Sequence, residues 1–292
     1  MDGQLDPERL AAAIDYAVAM LDPLRLVFTR NDNQPLQSVQ PTSTASLQLV
    51  DLTTTIDARR NALIQIEALQ AQPLSLEDGV VCKFALYKIA ETQWIWQFVI
   101  HHICIDGVGC EVLIQTVTHA YRSGLSRADA ATDRTKVTST SWDQAVREDI
   151  AYANSEQTAV DQAFWQKKLS GLELPVSMNP AQLNPLYIDQ PDRVFHELSR
   201  STYTKLIECG RRVCGSAYSL FSAATLIYLA RLCGTEDVSI NVPTSGRNKQ
   251  SRSTAITLAN QVPLRVRVQP QQTVQEILIS SADELVQGLE HN

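Results

Sequence analysis

Two apolar stretches, VVCKFALYKIA (Val80 to Ala90) and TQWIWQFVI (Thr92 to Ile100), are separated by a single residue in this 292-residue chain. A connection that short joins antiparallel strands, so the pair predicts a β-hairpin. The second strand runs directly into His101, His102 and, four residues beyond His102, Asp106-Gly107. After Gly109, CEVLIQTVTHAYRSG places Val112, Leu113, Val117 and Tyr121 on one helical face and stops at Gly124. The chain is therefore constrained to a hairpin, a polar corner and a helix packed back on it.

The remaining pattern is of the same mixed α/β kind. DPERLAAAIDYAVAM, opened by Asp6-Pro7, predicts a capped helix. LRLVFTR predicts a strand over Leu24 to Arg30, NDNQP a turn, and ASLQLVDL a strand over Ala45 to Leu52. Helices are expected at Thr55 to Gln70 and, in two pieces, within Trp142 to Pro175, with a polar surface loop at Arg127 to Ser141. Met178 to Pro191 holds Pro180, Pro185 and Pro191 without a regular period and reads as a linker. Beyond it, VFHELS reads as a strand, Thr202 to Val213 and Tyr218 to Cys233 as helices, DVSINVPTSGR as a strand and loop, QVPLRVRV as a strand, and VQEILISSADELVQGL as a helix. This predicts one α/β lobe over 1–177, a linker over 178–192 and a second lobe over 193–292.

Composition excludes several function classes. The net charge is −7, and there is no Lys/Arg run of the kind that tracks nucleic acid. The longest apolar runs, such as FSAATLIYLA, fall short of the roughly 18 residues a membrane span needs, and the opening MDGQLDPERL is charged. The expectation is a cytoplasmic protein with no membrane partner. Six cysteines without a CxxC pair, most of them in apolar periodic segments, read as buried thiols.

HHICIDG is suited to acid–base chemistry. A neutral imidazole takes a proton from an attacking amine, hydroxyl or thiol near neutral pH, provided its ring is held. Adjacent residues on extended backbone point to opposite faces, which makes one histidine a reagent and the other a brace. Gly107 permits an unusual backbone angle or close approach, and the Asp106 carboxylate suits an ion pair with an arginine that locks the loop. Taken alone, the same letters also fit satisfied core histidines beside a plain Asp-Gly turn. The diverging side chains of His101 and His102, with no Asp, Glu or Cys at ligand spacing, argue against a metal site. No GxSxG elbow supports a serine nucleophile.

HHICIDG resembles the HHxxxDG signature of nonribosomal peptide synthetase condensation domains, members of the chloramphenicol acetyltransferase-like superfamily. Further elements agree in order. MLDPLRLVF is similar to the upstream RHExLRTxF element, keeping Leu24, Arg25 and Phe28 but replacing Arg-His with Met20-Leu21. QPLSLEDGVVCKFALYKI resembles the family's entry into the strand before the histidines, and AFWQKKLSGLELP its YWxxxLxG stretch. LARLCGTEDVSINVPTSGR looks like the crossover into a Gly-Arg loop. ANQVPLRV resembles the NTLPLR element, retaining Asn260, Pro263, Leu264 and Arg265.

The resemblance implies an α/β sandwich fold with two acetyltransferase-like lobes in a V, and a tunnel at the seam. It implies that donor and acceptor carrier proteins present their substrates on phosphopantetheine thioesters, beside an adjacent adenylation domain, with no cofactor bound by the domain itself. His102 would orient the attacking amine and, in one view of the family, deprotonate it, His101 would stand beside it, Asp106 would be structural, and Arg247 would be its ion-pair partner across the lobe seam. Gly107 would admit substrate, and its N–H would face an oxyanion. Arg25 matches a family position, although a packed arginine accounts for it equally. Trp94, Trp96 and Cys104 read as core, and His119, His196 and His291 match no motif.

The chain is shorter than the family's domains. The SxAQxRLW-type opening has no counterpart, and the second lobe lacks its later strands, so a fragment or a degraded copy with an incomplete second lobe is expected. A non-catalytic docking module is the alternative from another class. An epimerization-type relative is disfavoured by Val-Gly-Cys after Asp-Gly, a heterocyclization relative by the histidines themselves, and a coenzyme A-dependent acyltransferase by the doubled histidine.

Overall fold

The computed structural model describes residues 1–32, 34–43, 45–130, 132, 142–172, 194–213 and 215–292. They group into two units, Met1–Ile150 with Arg247–Leu258, and Ala151–Gly246 with Ala259–Asn292.

In the first unit, α1 (Pro7–Met20) starts where the Asp6 side chain accepts a hydrogen bond from Arg9 N and Pro7 fills the first helical position. β1 (Leu26–Asn31) pairs antiparallel with β2 (Gln34–Val39). This hairpin goes beyond the expected single strand: β2 carries Pro35 and is exposed at every position but its last, so it has no apolar period to betray it. β3 (Leu47–Asp51) leads through α2 (Ala58–Ala71) to β4 (Cys82–Ala90). β3 runs parallel to β4, with Leu47 opposite Phe84.

The predicted hairpin forms. β4 pairs antiparallel with β5 (Gln93–Ile100) from Cys82 opposite Ile100 to Lys88 opposite Trp94. Phe84 and Leu86 face a core shared with Leu10, Ile14 and Ala17 of α1 and with Leu113 and Val117 of α3 (Gly107–Ser123). Ala85 and Tyr87 face the other way, onto Ala62 of α2. With both faces covered, β4 needs an almost continuous apolar run rather than strict alternation, which is what CKFALYKIA supplies. Each fully buried side chain such as Phe84 or Leu86 contributes about 1.5–3 kcal/mol through burial alone.

The chain continues through α4 (Trp142–Ala153) to α5 (Glu156–Leu169), then α6 (Arg200–Val213) and α7 (Ala217–Cys233). In the second unit, β6 (Asp237–Thr244) pairs antiparallel with β7 (Asn260–Arg267), and α8 (Val274–Glu290) closes the chain. Leu226 and Leu229 of α7, Val238 and Val242 of β6, Val262 and Leu264 of β7, and Ile277 and Leu285 of α8 make its core. A side chain in place of Gly288 would lie 2.6 Å from Val262 Cγ1 and 3.2 Å from the Trp165 ring, so this glycine lets α8 approach β7 and α5.

These units do not follow the boundaries 1–177 and 193–292. Helix α5 joins the second unit because Arg265 Nη1 donates to the carbonyls of Lys168 (3.0 Å) and Ser170 (2.8 Å), while Trp165 Nε1 donates to His291 O at 2.8 Å. Residues 247–258 join the first through the contacts described below. The expected linker at 178–192 lies outside the described residues, as does the end of the YWxxxLxG-like stretch. VFHELS is not a strand: residues 194–199 have no regular structure, with Val194 95% and Phe195 84% exposed, since the segment has neither a paired neighbour nor a covered face. No single described helix is long and apolar enough to cross a membrane.

Candidate functional site

The histidine corner is built by the end of one ladder and the start of one helix. Past the last β4–β5 pair, His101 N still donates to Val81 O at 2.9 Å, and Cys104 N donates to His101 O at 2.9 Å, closing a turn over the following residues. Ile103 N donates to His101 Nδ1 at 3.1 Å. A nitrogen that accepts carries no proton, so the neutral His101 ring holds its proton on Nε2. His101 is half-buried and braced, whereas His102 is exposed. One ring is thus held and the other presented, and a turn rather than strand alternation produces the division.

Asp106 ends the turn and caps α3, its Oδ1 accepting from Gly109 N at 2.9 Å. The same carboxylate meets the end of the Arg247 guanidinium, with Nη1 donating to Oδ2 at 2.7 Å and Nη2 to Oδ1 at 2.8 Å. Leu258 N donates to Oδ2 at 2.9 Å. The two side chains are only 2% and 4% exposed. A buried ion pair is stable only when other groups take up much of its remaining hydrogen-bonding capacity, and here backbone groups on both sides contribute. Arg247 Nη2 also donates to Ile256 O at 2.7 Å and Thr254 O at 3.2 Å, so the guanidinium folds its own loop around itself.

That loop is a strap over the histidine corner. Ala255 packs into the first unit's core, and Thr257 Oγ1 donates to the carbonyl of His102. The strap sits close because residue 109 is glycine: a Cβ there would stand 2.4 Å from Ile105 Cγ1 and 3.3 Å from the Ala255 carbonyl carbon. Gly107, by contrast, has no positive φ, and a Cβ on it would meet nothing within 4 Å. The backbone angle expected of Gly107 is therefore absent, and open space surrounds it.

The other candidates have partners of their own. Arg25 belongs to α1 and its surroundings: it donates to the carbonyls of Val18 (3.0 Å) and Ala19 (3.2 Å), to Gln40 O, and to Asp22 Oδ1 at 2.6 Å. These bonds fit the packed reading. Asn260 lies in the second unit, at the start of β7, where its Oδ1 accepts from Gln261 N at 2.8 Å. Trp94 is core, and Trp96 packs against the same cluster. Burial pushes the Cys104 thiol up to about 12, and burial together with the Asp106 charge raises that of Cys110. Neither thiol is primed as a nucleophile. Among the described residues no group of three His, Cys, Asp or Glu side chains is placed to hold a metal ion.

Sequence reasoning passed over Thr257, Gly109 and His291. In the second unit, Asp161 accepts from Tyr152 Oη (2.8 Å) and Gln157 Nε2 (2.8 Å) and pairs with His291 Nδ1 at 2.7 Å. The His291 ring stacks on Phe164 with centroids 3.9 Å apart. These bonds, led by that from His291, hold the Asp161 carboxyl below the usual range. Tyr152, Asp161 and His291 form a polar wall of a cleft of about 490 Å³ that Trp165, Asn260 and Pro263 also line.

A family model described as Condensation domain matches residues 1–292. The dimodular nonribosomal peptide synthase of Bacillus subtilis (strain 168) is 26% identical over 279 residues, covering 95% of this chain and 12% of its own length. Enterobactin synthase component F of Escherichia coli (strain K12) is 26% identical over 303 residues, 100% of this chain and 22% of that protein. Among solved structures, a mutant starter condensation domain of rhizomide synthetase in complex with C8-CoA superposes with a TM-score of 0.83 at 26% identity, over 99% of this chain and 65% of that one. The first condensation domain of the calcium-dependent antibiotic synthetase, in complex with a substrate analogue, matches with a TM-score of 0.79 at 22% identity, which speaks to the fold. The chain therefore spans about two thirds of these structural neighbours' length and a small part of the synthetases'.

Proposed function

Because this chain belongs to the condensation-domain family, we propose that it carries the amide-forming centre of a nonribosomal peptide synthetase. The donor acyl or peptidyl group and the acceptor aminoacyl group arrive as thioesters on the phosphopantetheine arms of two carrier proteins, with an adenylation domain as neighbour. The acceptor amine attacks the donor carbonyl, a C–N bond forms, and the C–S bond breaks. The His102 ring orients the amine and takes its proton, and the donor carrier leaves as a thiol that receives a proton in turn. The domain holds no cofactor of its own in this reading, and the parent protein works in the cytoplasm.

One observation carries the assignment: a solvent-facing imidazole one residue beyond a braced one, on a corner pinned by the buried Asp106–Arg247 pair. Holding two tethered reactants at attack distance supplies roughly 7–11 kcal/mol, and a general base about two to four powers of ten. Positioning therefore lowers the barrier more than proton transfer does, which suits a corner whose visible investment is in rigidity. Asp106, Arg247 and His101 are structural supports, and the open surroundings of Gly107 leave room for substrate to approach.

The C8-CoA complex of the rhizomide synthetase neighbour favours a second reading of the donor, an acyl group on coenzyme A in place of a carrier. Product analysis separates the two. Two carrier proteins loaded with aminoacyl thioesters are mixed with the parent protein, and in parallel octanoyl-CoA replaces the donor carrier. A dipeptidyl thioester supports the carrier reading and an octanoyl-aminoacyl thioester the second; neither product in the presence of intact His102 rejects both.

A further inference from the structure

We propose that Thr257 is the positioning residue for the His102 imidazole, acting through the His102 backbone. The inference rests on the amide-forming reading above but can fail separately from it. The His102 side chain is exposed, and none of the described residues hydrogen-bonds its ring. A ring without direct partners is aimed by the backbone that carries it. That backbone lies in the turn between the last β5 pair and the Asp106 cap, and the Thr257 hydroxyl donates to the His102 carbonyl from 155 residues further along the chain.

Thr257 is well placed to act as a fixed point. The residue before it accepts from Arg247 Nη2 at 2.7 Å, and the residue after it donates to Asp106 Oδ2 at 2.9 Å. Both of its neighbours are thus tied to the buried ion pair, and its β-branched side chain has few rotamers to choose among. A continuous relay results, from Asp106 and Arg247 through the strap peptide and the Thr257 hydroxyl to the peptide that carries the imidazole.

The test compares Thr257→Val, which keeps the shape and loses the hydroxyl, with Thr257→Ser, which keeps the hydroxyl. The first readout is the ring of His102 in the full chain, followed by NMR of ¹³C-labelled histidine through a pH titration and assigned with His102→Gln. The second is single-turnover amide formation by the parent protein. Thr257→Val is expected to shift and broaden the His102 ring signals and to slow the chemical step roughly three- to tenfold, the factor one hydrogen bond's net worth allows, with KM for the donor carrier unchanged. Thr257→Ser is expected to restore both to within about twofold. His102 signals unmoved by Thr257→Val overturn the proposal even if no amide is formed by any variant. Moved signals with unchanged turnover, or a loss that serine fails to restore, overturn it as well. Should Thr257→Val lose the slow exchange of the Leu258 amide and so the strap itself, Thr257→Ala is read in the same way. If His102→Ala leaves turnover intact, the amide-forming reading fails while the ring signals still decide the role of Thr257.

Discussion

Asp106 and Arg247 stand 141 residues apart in the chain and meet through two parallel hydrogen bonds of 2.7 and 2.8 Å, both side chains almost wholly out of water. The pair does three things at once. Its carboxylate caps the helix after the histidines, its guanidinium folds the strap, and the strap reaches the histidine corner.

Removing one member leaves the other charged, buried and short of partners. Arg247→Met is expected to cost about 3–5 kcal/mol of the first unit's stability and to abolish slow hydrogen exchange at the Gly109 and Leu258 amides. The double variant with Asp106→Asn is expected to cost less than the sum of the singles, by about 1 kcal/mol or more. Strict additivity in denaturant unfolding would show that the pair does not hold the strap.

Gly109 and Gly107 separate sterics from access. Gly109→Ala forces a Cβ against Ile105 and the strap backbone and is expected to destabilise by about 1–3 kcal/mol. Gly107→Ala meets no atom and is expected to change stability by no more than about 0.5 kcal/mol. If substrate approaches over Gly107, the same alanine slows turnover without lowering the melting temperature; equal turnover removes Gly107 from the site.

Thiol labelling reports on the core. Burial lifts both Cys82 and Cys104 to about 12, and each is nearly fully buried. At pH 8 the native chain is expected to label at exposed Cys233 and to leave Cys82 and Cys104 unmodified until it unfolds. Mass mapping of the labelled peptides decides this, and early modification of Cys104 would contradict a core role.

Acid is expected to weaken the second unit. The carboxyls of Asp161, held low first by its bond with His291, and of Asp237, held low first by Arg265, both ionise below their unfolded values. A depressed folded pKa contributes stability that is complete above the unfolded value near 3.9 and is lost as pH falls through the folded one. Thermal melts of the native chain and of Asp161→Asn should therefore differ at neutral pH, with the gap shrinking as pH falls below the unfolded value near 3.9. A constant gap across that window would contradict the assignment.

Legibility in the sequence followed periodicity. The run from β4 through β5 to α3 was readable because burial on known faces leaves a repeating apolar pattern, and the histidine corner stands where that pattern breaks. β2 was not, since its polar, proline-bearing strand has only its hydrogen-bonded partner β1 to define it. VFHELS failed for the opposite reason, as its apolar letters are not buried. The pairing of Asp106 with Arg247 came from family resemblance, whereas the strap, Thr257 and the need for glycine at 109 depend on close approaches between distant segments, which leave no local signal. His291 met Asp161 for the same reason: the partners are 130 residues apart.

The central claim is that the His102 imidazole acts on the amine that forms the new bond. The most direct measurement is the single-turnover rate of dipeptidyl thioester formation by the parent synthetase on two loaded carriers, with native His102 and with His102→Ala, in proteins of matched thermal stability. A fall of about 100-fold or more in the variant is predicted. Equal rates would contradict it.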